Sequence, residues 1–125
     1  MSTTPVTPSS IEWQWAAFGQ LSNHDVYAMM AARLHVFVLE QQCLWNDFDG
    51  LDVDAHHLLG WAPPSSSASS KGRRRLVAYL RVLAPGAKYA EASIGRVLTT
   101  SEGRGGGIGR ALVEQGLAHT DRLYP

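Results

Sequence analysis

The chain has one cysteine, Cys43, among its 125 residues, so it cannot form an internal disulfide, and with no cysteine pair and no H-E-x-x-H it lacks the usual signatures of a zinc site. It has no surplus of charge: eleven Lys and Arg offset eleven Asp and Glu, which removes any global attraction to nucleic acid or to an anionic membrane. It has no apolar run long enough to span a bilayer and no secretory-type leader, so a cytoplasmic protein is expected. Internal repeats are also absent. What is present is 45% hydrophobic content, enough for one small domain with a single core.

The most informative stretch is Arg104-Gly105-Gly106-Gly107-Ile108-Gly109, between a strand-like run, 93–100, and a helix-like run that starts near Gly109 and Arg110. Glycines let a backbone approach a ligand closely, and a helix start offers unpaired N–H groups and the positive end of a dipole, so the context predicts an anion site. A nucleoside-triphosphate loop is excluded because Arg110 and Ala111 stand where Lys and Ser or Thr would be required. A dinucleotide fingerprint fails too: position 110 is not Gly or Ala, and its acidic partner would lie beyond residue 125.

The remaining pattern, R-x-x-G-x-G between strand and helix, resembles the acyl-CoA pyrophosphate loop of the GNAT acetyltransferases. Five further segments strengthen the likeness: Ile11-Glu12-Trp13; Val36 to Gln41 with Cys43; Asp47-Phe48-Asp49-Gly50; His57-Leu58-Leu59-Gly60-Trp61; and Ile94-Gly95-Arg96-Val97. They resemble, in order, the ElaA-like branch of that superfamily over residues 11–125. The resemblance implies an α+β, three-layer fold with a mixed, mostly antiparallel sheet flanked by helices, of which the C-terminal strands would lie past Pro125.

Local patterns place the elements. Alternation over Ile11, Trp13, Trp15 and Ala17 predicts a first strand. Ser22 with Asp25 approximates a capping box, and Val26, Met30, Leu34, Phe37 and Val38 predict the buried face of a helix from Asp25 to Glu40. Strands are expected at 57–61, 76–83 and 93–100, then a helix over 109–119 with Ile108, Leu112 and Leu117 facing the sheet. Residues 1–10 read as a disordered leader, 11–125 as a partial acetyltransferase domain, and 63–75 as a low-complexity hairpin loop with a solvated basic tip at Lys71 and Arg73 to Arg75.

The resemblance also implies chemistry. Acetyl-CoA would be the cosubstrate, its pantetheine arm pairing with the backbone of Val97, Leu98 and Thr99, and a strand distortion at Gly95 would open the slot. Its pyrophosphate would meet Arg104, Gly105, Gly106, Gly107, Ile108, Gly109 and Arg110. The acceptor would be a small-molecule or protein amine that attacks the thioester directly. Such attack needs a base, an oxyanion donor and an acid. Glu40, His56 and His57 are the candidate catalytic residues, with Asp47 and Asp49 as further bases. The family's tyrosine acid would fall beyond Pro125, and Tyr124 is not its substitute. Arg33 and Arg96 read as surface ion-pairing residues and the aspartates of 47–54 as a solvated acidic loop, with no metal site. No nucleic-acid or membrane partner is expected. The competing reading is a catalytically incompetent fragment that binds CoA or associates, for instance as a homodimer through an unpaired edge of the fourth strand.

Overall fold

The computed structural model describes residues 6–43, 46–64 and 72–125. Four strands form one antiparallel meander in the order β1-β2-β3-β4: β1 Glu12–Ala17, β2 His56–Ala62, β3 Arg75–Leu83 and β4 Ser93–Thr99. The central strands β2 and β3 are almost continuously buried, as strands covered on both faces must be. Their side chains divide between two clusters. Leu58, Leu80 and Val82 meet helix α2, Ile108–Leu123, while Leu59 and Tyr79 meet helix α1, Asn23–Arg33. The sheet is therefore the middle of three layers, the α+β architecture that the resemblance implies.

Helix α1 starts where the capping box predicts. The Ser22 hydroxyl accepts from the Asp25 amide at 3.0 Å, and the Asp25 carboxylate accepts from the Ser22 amide at 3.3 Å. After Arg33 the chain widens into a π-helical segment, Leu34–Glu40, closed by a bond from the Gln41 amide to the Val36 carbonyl, and left-handed backbone at Gln42 ends it. The buried face is shifted from the one expected: Met29, Arg33, Val36 and Phe37 are buried at helical intervals, Val26 and Met30 lie at its margin, and Leu34 is exposed.

Helix α2 also corrects its expected face. Ile108, Leu112 and Gly116 point at the sheet at intervals of four, and Leu117 is exposed. A Cβ on Gly116 would come within 2.7 Å of Leu80, so glycine sets how closely helix and sheet approach.

The outer segments differ from expectation as well. Of the expected leader 1–10, residues 1–5 lie outside the described residues, whereas Pro8–Ser10 forms a 3-10 turn with Thr7 as its N-cap, and Val6 packs on the α2-side cluster. The Val6 carbonyl lies so close to Gly106 that a Cβ there would meet it at 2.8 Å. The low-complexity stretch 65–71 lies outside the described residues, but the basic residues after it are engaged. Arg74 stacks 4.1 Å over the Trp61 ring and pairs with Glu12 and Asp25, and Arg75 pairs with Glu102. A solvated basic tip therefore does not describe Arg74 and Arg75.

Candidate functional site

Two arginine–carboxylate systems adjoin β4. The first is buried. Arg33, with no exposed surface, donates from Nε to Asp47 at 3.0 Å and from one terminal nitrogen to Asp52 at 2.6 Å. Arg81, in the middle of β3, donates to Asp49 at 2.6 Å and to Asp52 at 3.0 Å. Arg96 completes it, 2.7 Å from Asp47 and 3.2 Å from Asp49. Three cations and three anions thus bind loop 46–54 to α1 and the sheet. The reading of Arg33 and Arg96 as surface residues, and of Asp47, Asp49 and Asp52 as solvated or as free bases, is overturned, while Asp54 is exposed. The Arg81 guanidinium holds the Asp49 carboxyl well below the usual range, against the opposing pull of desolvation, which makes it a poor proton acceptor near neutrality.

Arg96 also carries the distortion expected in β4. Pairing runs from Tyr79 opposite Leu98 to Arg81 opposite Gly95, so β4 holds one more residue than β3 across this step. Such an insertion is a β-bulge. Arg96 adopts φ of 53°, a left-handed conformation that costs a non-glycine residue about 1 kcal/mol or more, and its ion pairs with Asp47 and Asp49 offset that cost. Gly95, the expected site of distortion, has a negative or extended φ and open space around its Cα.

The second system faces a cavity of about 380 Å³. Its walls are Val97, Leu98 and Thr99 of β4, Arg104 and Gly109 of the glycine loop and α2, and Glu40 and Gln41 at the end of the π segment, with Val36 and Leu112 beneath. Arg104 donates to the Thr99 carbonyl at 3.1 and 2.9 Å and to the Glu40 carboxylate at 2.6 Å. His35 lies 3.3 Å from the same carboxylate. Hydrogen bonding from Arg104, the largest effect, holds the Glu40 carboxyl below its ordinary value.

The structure thus brings five of the ten predicted binding residues to one cavity, and the others fall around it. Gly107, with φ of 82°, is the N-cap of α2 and offers no side-chain cap, so the first-turn amides of the helix face the loop side unclaimed by it. Gly105 and Gly106 form the turn before it. Ile108 is fully buried and offers the cavity nothing but backbone, and Arg110 points to solvent, paired with Glu114 at 3.1 Å.

Neither predicted histidine lines this cavity. His57 is fully buried, with Nε2 2.9 Å from the Asp52 carbonyl and Nδ1 2.6 Å from the Tyr79 hydroxyl. A carbonyl can only accept, so Nε2 carries the proton and Nδ1 accepts from Tyr79. Burial lowers the His57 pKa further. With both nitrogens engaged inside the core, it cannot take a proton from an incoming amine. His56 stacks on the Trp15 ring at 5.3 Å, and His119 stacks on the same ring at 4.4 Å.

Sequence reasoning did not single out Gln41, Arg81 or the partnership of Glu40 with Arg104. A signal existed for Arg81, a lone charge inside the otherwise apolar β3 run facing an aspartate-rich loop. For the Glu40–Arg104 pair there was none, because the partners are 64 residues apart.

Comparison with known proteins accounts for this arrangement. The chain is 40% identical over 115 residues to a UPF0039 protein of Synechocystis, a match that takes in 92% of the chain and 69% of that protein. It is 34% identical over 117 residues to ElaA of Escherichia coli, across 92% of the chain and 70% of ElaA. The chain belongs to the ElaA family. The crystal structure of E. coli ElaA superposes with a TM-score of 0.79, covering 92% of the chain and 72% of that structure. An acyl-CoA N-acyltransferase from Pseudomonas aeruginosa, 36% identical, superposes at 0.77 over 92% of the chain and 73% of that structure. No family model matches the chain. The ElaA-family fold seen here is thus that of acyl-CoA N-acyltransferases of the GNAT type. Among the described residues no helix is long and apolar enough to cross a membrane.

Proposed function

We propose that the chain uses acetyl-CoA to acetylate an amine by direct attack on the thioester, with CoA lying along β4. The observation that carries this reading is the single cavity joining Val97, Leu98 and Thr99 to Arg104 and Gly109. The strand backbone suits the amides of a pantetheine arm, while Arg104 and the first turn of α2 suit a pyrophosphate, whose charge the helix dipole favours by about 1 kcal/mol. The bulge at Arg96 interrupts pairing next to Val97, which is where a thioester would need room.

Of the three candidate bases, Glu40 alone reaches the cavity, at the end where Arg104 would meet pyrophosphate rather than at the bulge. On this reading Glu40 is poorly placed to deprotonate an amine at the thioester, and that step falls to another group or to solvent. The acceptor is a small-molecule or protein amine reached from the side of loop 46–54.

Calorimetric titration of acetyl-CoA tests the reading. Gly109→Glu, on a helical position with normal φ whose Cβ would meet nothing nearer than Thr99 at 3.7 Å, inserts charge and bulk into the cavity without straining the backbone. Binding should weaken by about a hundredfold or more, the loss of more than ~2.7 kcal/mol. Unchanged affinity in that variant would remove CoA from this cavity.

A further inference from the structure

The Glu40–Arg104 pair has no counterpart in the buried ion cluster. It stands at the cavity wall, with Arg104 nearly half exposed and Glu40 partly so. The Glu40 carboxylate takes the same guanidinium that a pyrophosphate would need. It arrives there from a different layer of the fold, at the end of the π-helical segment, whereas Arg104 opens the glycine loop after β4. The π segment matters because it brings Val36, Glu40 and Gln41 together to this wall.

We infer that Glu40 is an internal competitor for Arg104, a carboxylate that occupies the guanidinium until an organic pyrophosphate displaces it and that thereby sets the affinity for CoA. This rests on the CoA reading of the cavity and adds to it a residue that opposes binding. Two consequences follow from elementary electrostatics. A carboxylate beside the anion site repels the ligand's phosphates directly, and it neutralises the cation that would attract them. Removing its charge while keeping its shape should therefore strengthen CoA binding, the reverse of what loss of a contact residue does. The effect must also depend on salt, since the groups concerned face solvent. His35, beside the same carboxylate, supplies a second donor that can hold Glu40 once Arg104 turns to the ligand.

The test is calorimetric titration of CoA, and separately of pantetheine, which has the same arm without phosphates, into the wild-type chain, Glu40→Gln, Arg104→Met and the double variant. Glu40→Gln should tighten CoA by about three- to tenfold at roughly 50 mM salt, with a smaller gain at about 500 mM. Pantetheine affinity should not change. Arg104→Met should weaken CoA, and Glu40→Gln should gain less in that background than alone. Unchanged or weaker CoA binding by Glu40→Gln, or an equal gain for pantetheine, would overturn the competition while leaving the CoA site standing. No CoA binding by the wild-type chain at millimolar ligand would instead sink the CoA reading and the competition with it, so the two failures are separable. The ion pair has its own readout: the Arg104 Nη2–H resonance, from the group that donates to Glu40, should move in Glu40→Gln before any CoA is added and, in the wild-type chain, should move again as CoA saturates.

Discussion

The same pairing of arginine with carboxylate occurs twice beside β4, in the buried cluster and at the cavity wall, and its consequences are opposite. Around Arg33 the charges of Arg33, Arg81, Asp47 and Asp52 are buried, with Asp49 and Arg96 at a partly exposed rim, and each cation meets two anions, so that none can leave without stranding another. Around Arg104 one guanidinium meets one carboxylate at an open wall, where water can replace either. Burial turns the first into a lock for loop 46–54, because an uncompensated internal charge is costly. Exposure leaves the second exchangeable, because solvent screens what the pair gains. On the reading proposed above, the loop beside the acceptor stays fixed on the sheet, while the cation at the glycine loop changes partners.

The comparison breaks most severely at the buried end. Arg33→Ala leaves Asp47 and Asp52 facing Arg96 and Arg81 with one positive charge too few, and should cost about 3–5 kcal/mol in chemical denaturation. A loss under about 1 kcal/mol would show that water enters the cluster freely and that the lock is not one. Asp49→Asn tests its half-buried rim. It removes the charge from contacts to Arg81 and Arg96, yet Asn can still accept a hydrogen bond, so about 1–3 kcal/mol is expected. Hydrogen exchange in 46–54 should rise with it. Unaltered exchange would mean that the loop is held by packing alone.

Much of this was legible in local pattern. The Ser22 and Asp25 capping box, the apolar run of β3 and the glycine loop before α2 are decided by neighbours within a few residues. The strands accordingly lie within a residue or two of where periodicity puts them. The misreadings share a cause in long-range pairing. Asp47 finds its partners 14 residues before it and 49 after it, so a composition of aspartates and a glycine looks solvated when read locally. Arg96 rather than Gly95 takes the left-handed bulge position because ion pairs to that loop offset its strain, a trade that no strand pattern displays. Arg33 was missed as part of the buried helix face for the same reason, since the aspartates that bury its charge lie 14 and 19 residues on. The grouping of Glu40 with Arg104 follows from the π segment and the glycine loop meeting in space.

Acid sharpens the contrast between the two systems. His57 is held neutral by burial, with its folded pKa below the ordinary value of 6.5. A depressed folded pKa means that the unfolded chain binds the proton more readily. The contribution is therefore complete above about pH 6.5 and is lost as pH falls through the folded value, with a slope of at most ~1.4 kcal/mol per pH unit for one proton. His119, also lowered, adds to the same limb. Stability should decline from about pH 7 to 5, and His57→Gln should flatten part of that decline whatever it does to the plateau. A slope unchanged by His57→Gln but removed by His119→Gln would assign the effect to the stack on Trp15 instead.

The smallest effect on stability is expected at Arg104, and it is the most discriminating. Arg104→Met keeps much of the side-chain stem over the cavity wall while removing the charge and the donors. If the pair with Glu40 is exchangeable, the denaturation midpoint should stay where it is and should respond to added salt as the wild-type protein does. CoA affinity should nevertheless fall, because the guanidinium acts on the ligand and not on the fold. A destabilisation comparable to that of Arg33→Ala would place Arg104 with the buried cluster as a structural residue. The distinction between a charge held by the interior and one held for a ligand would then fail at the glycine loop.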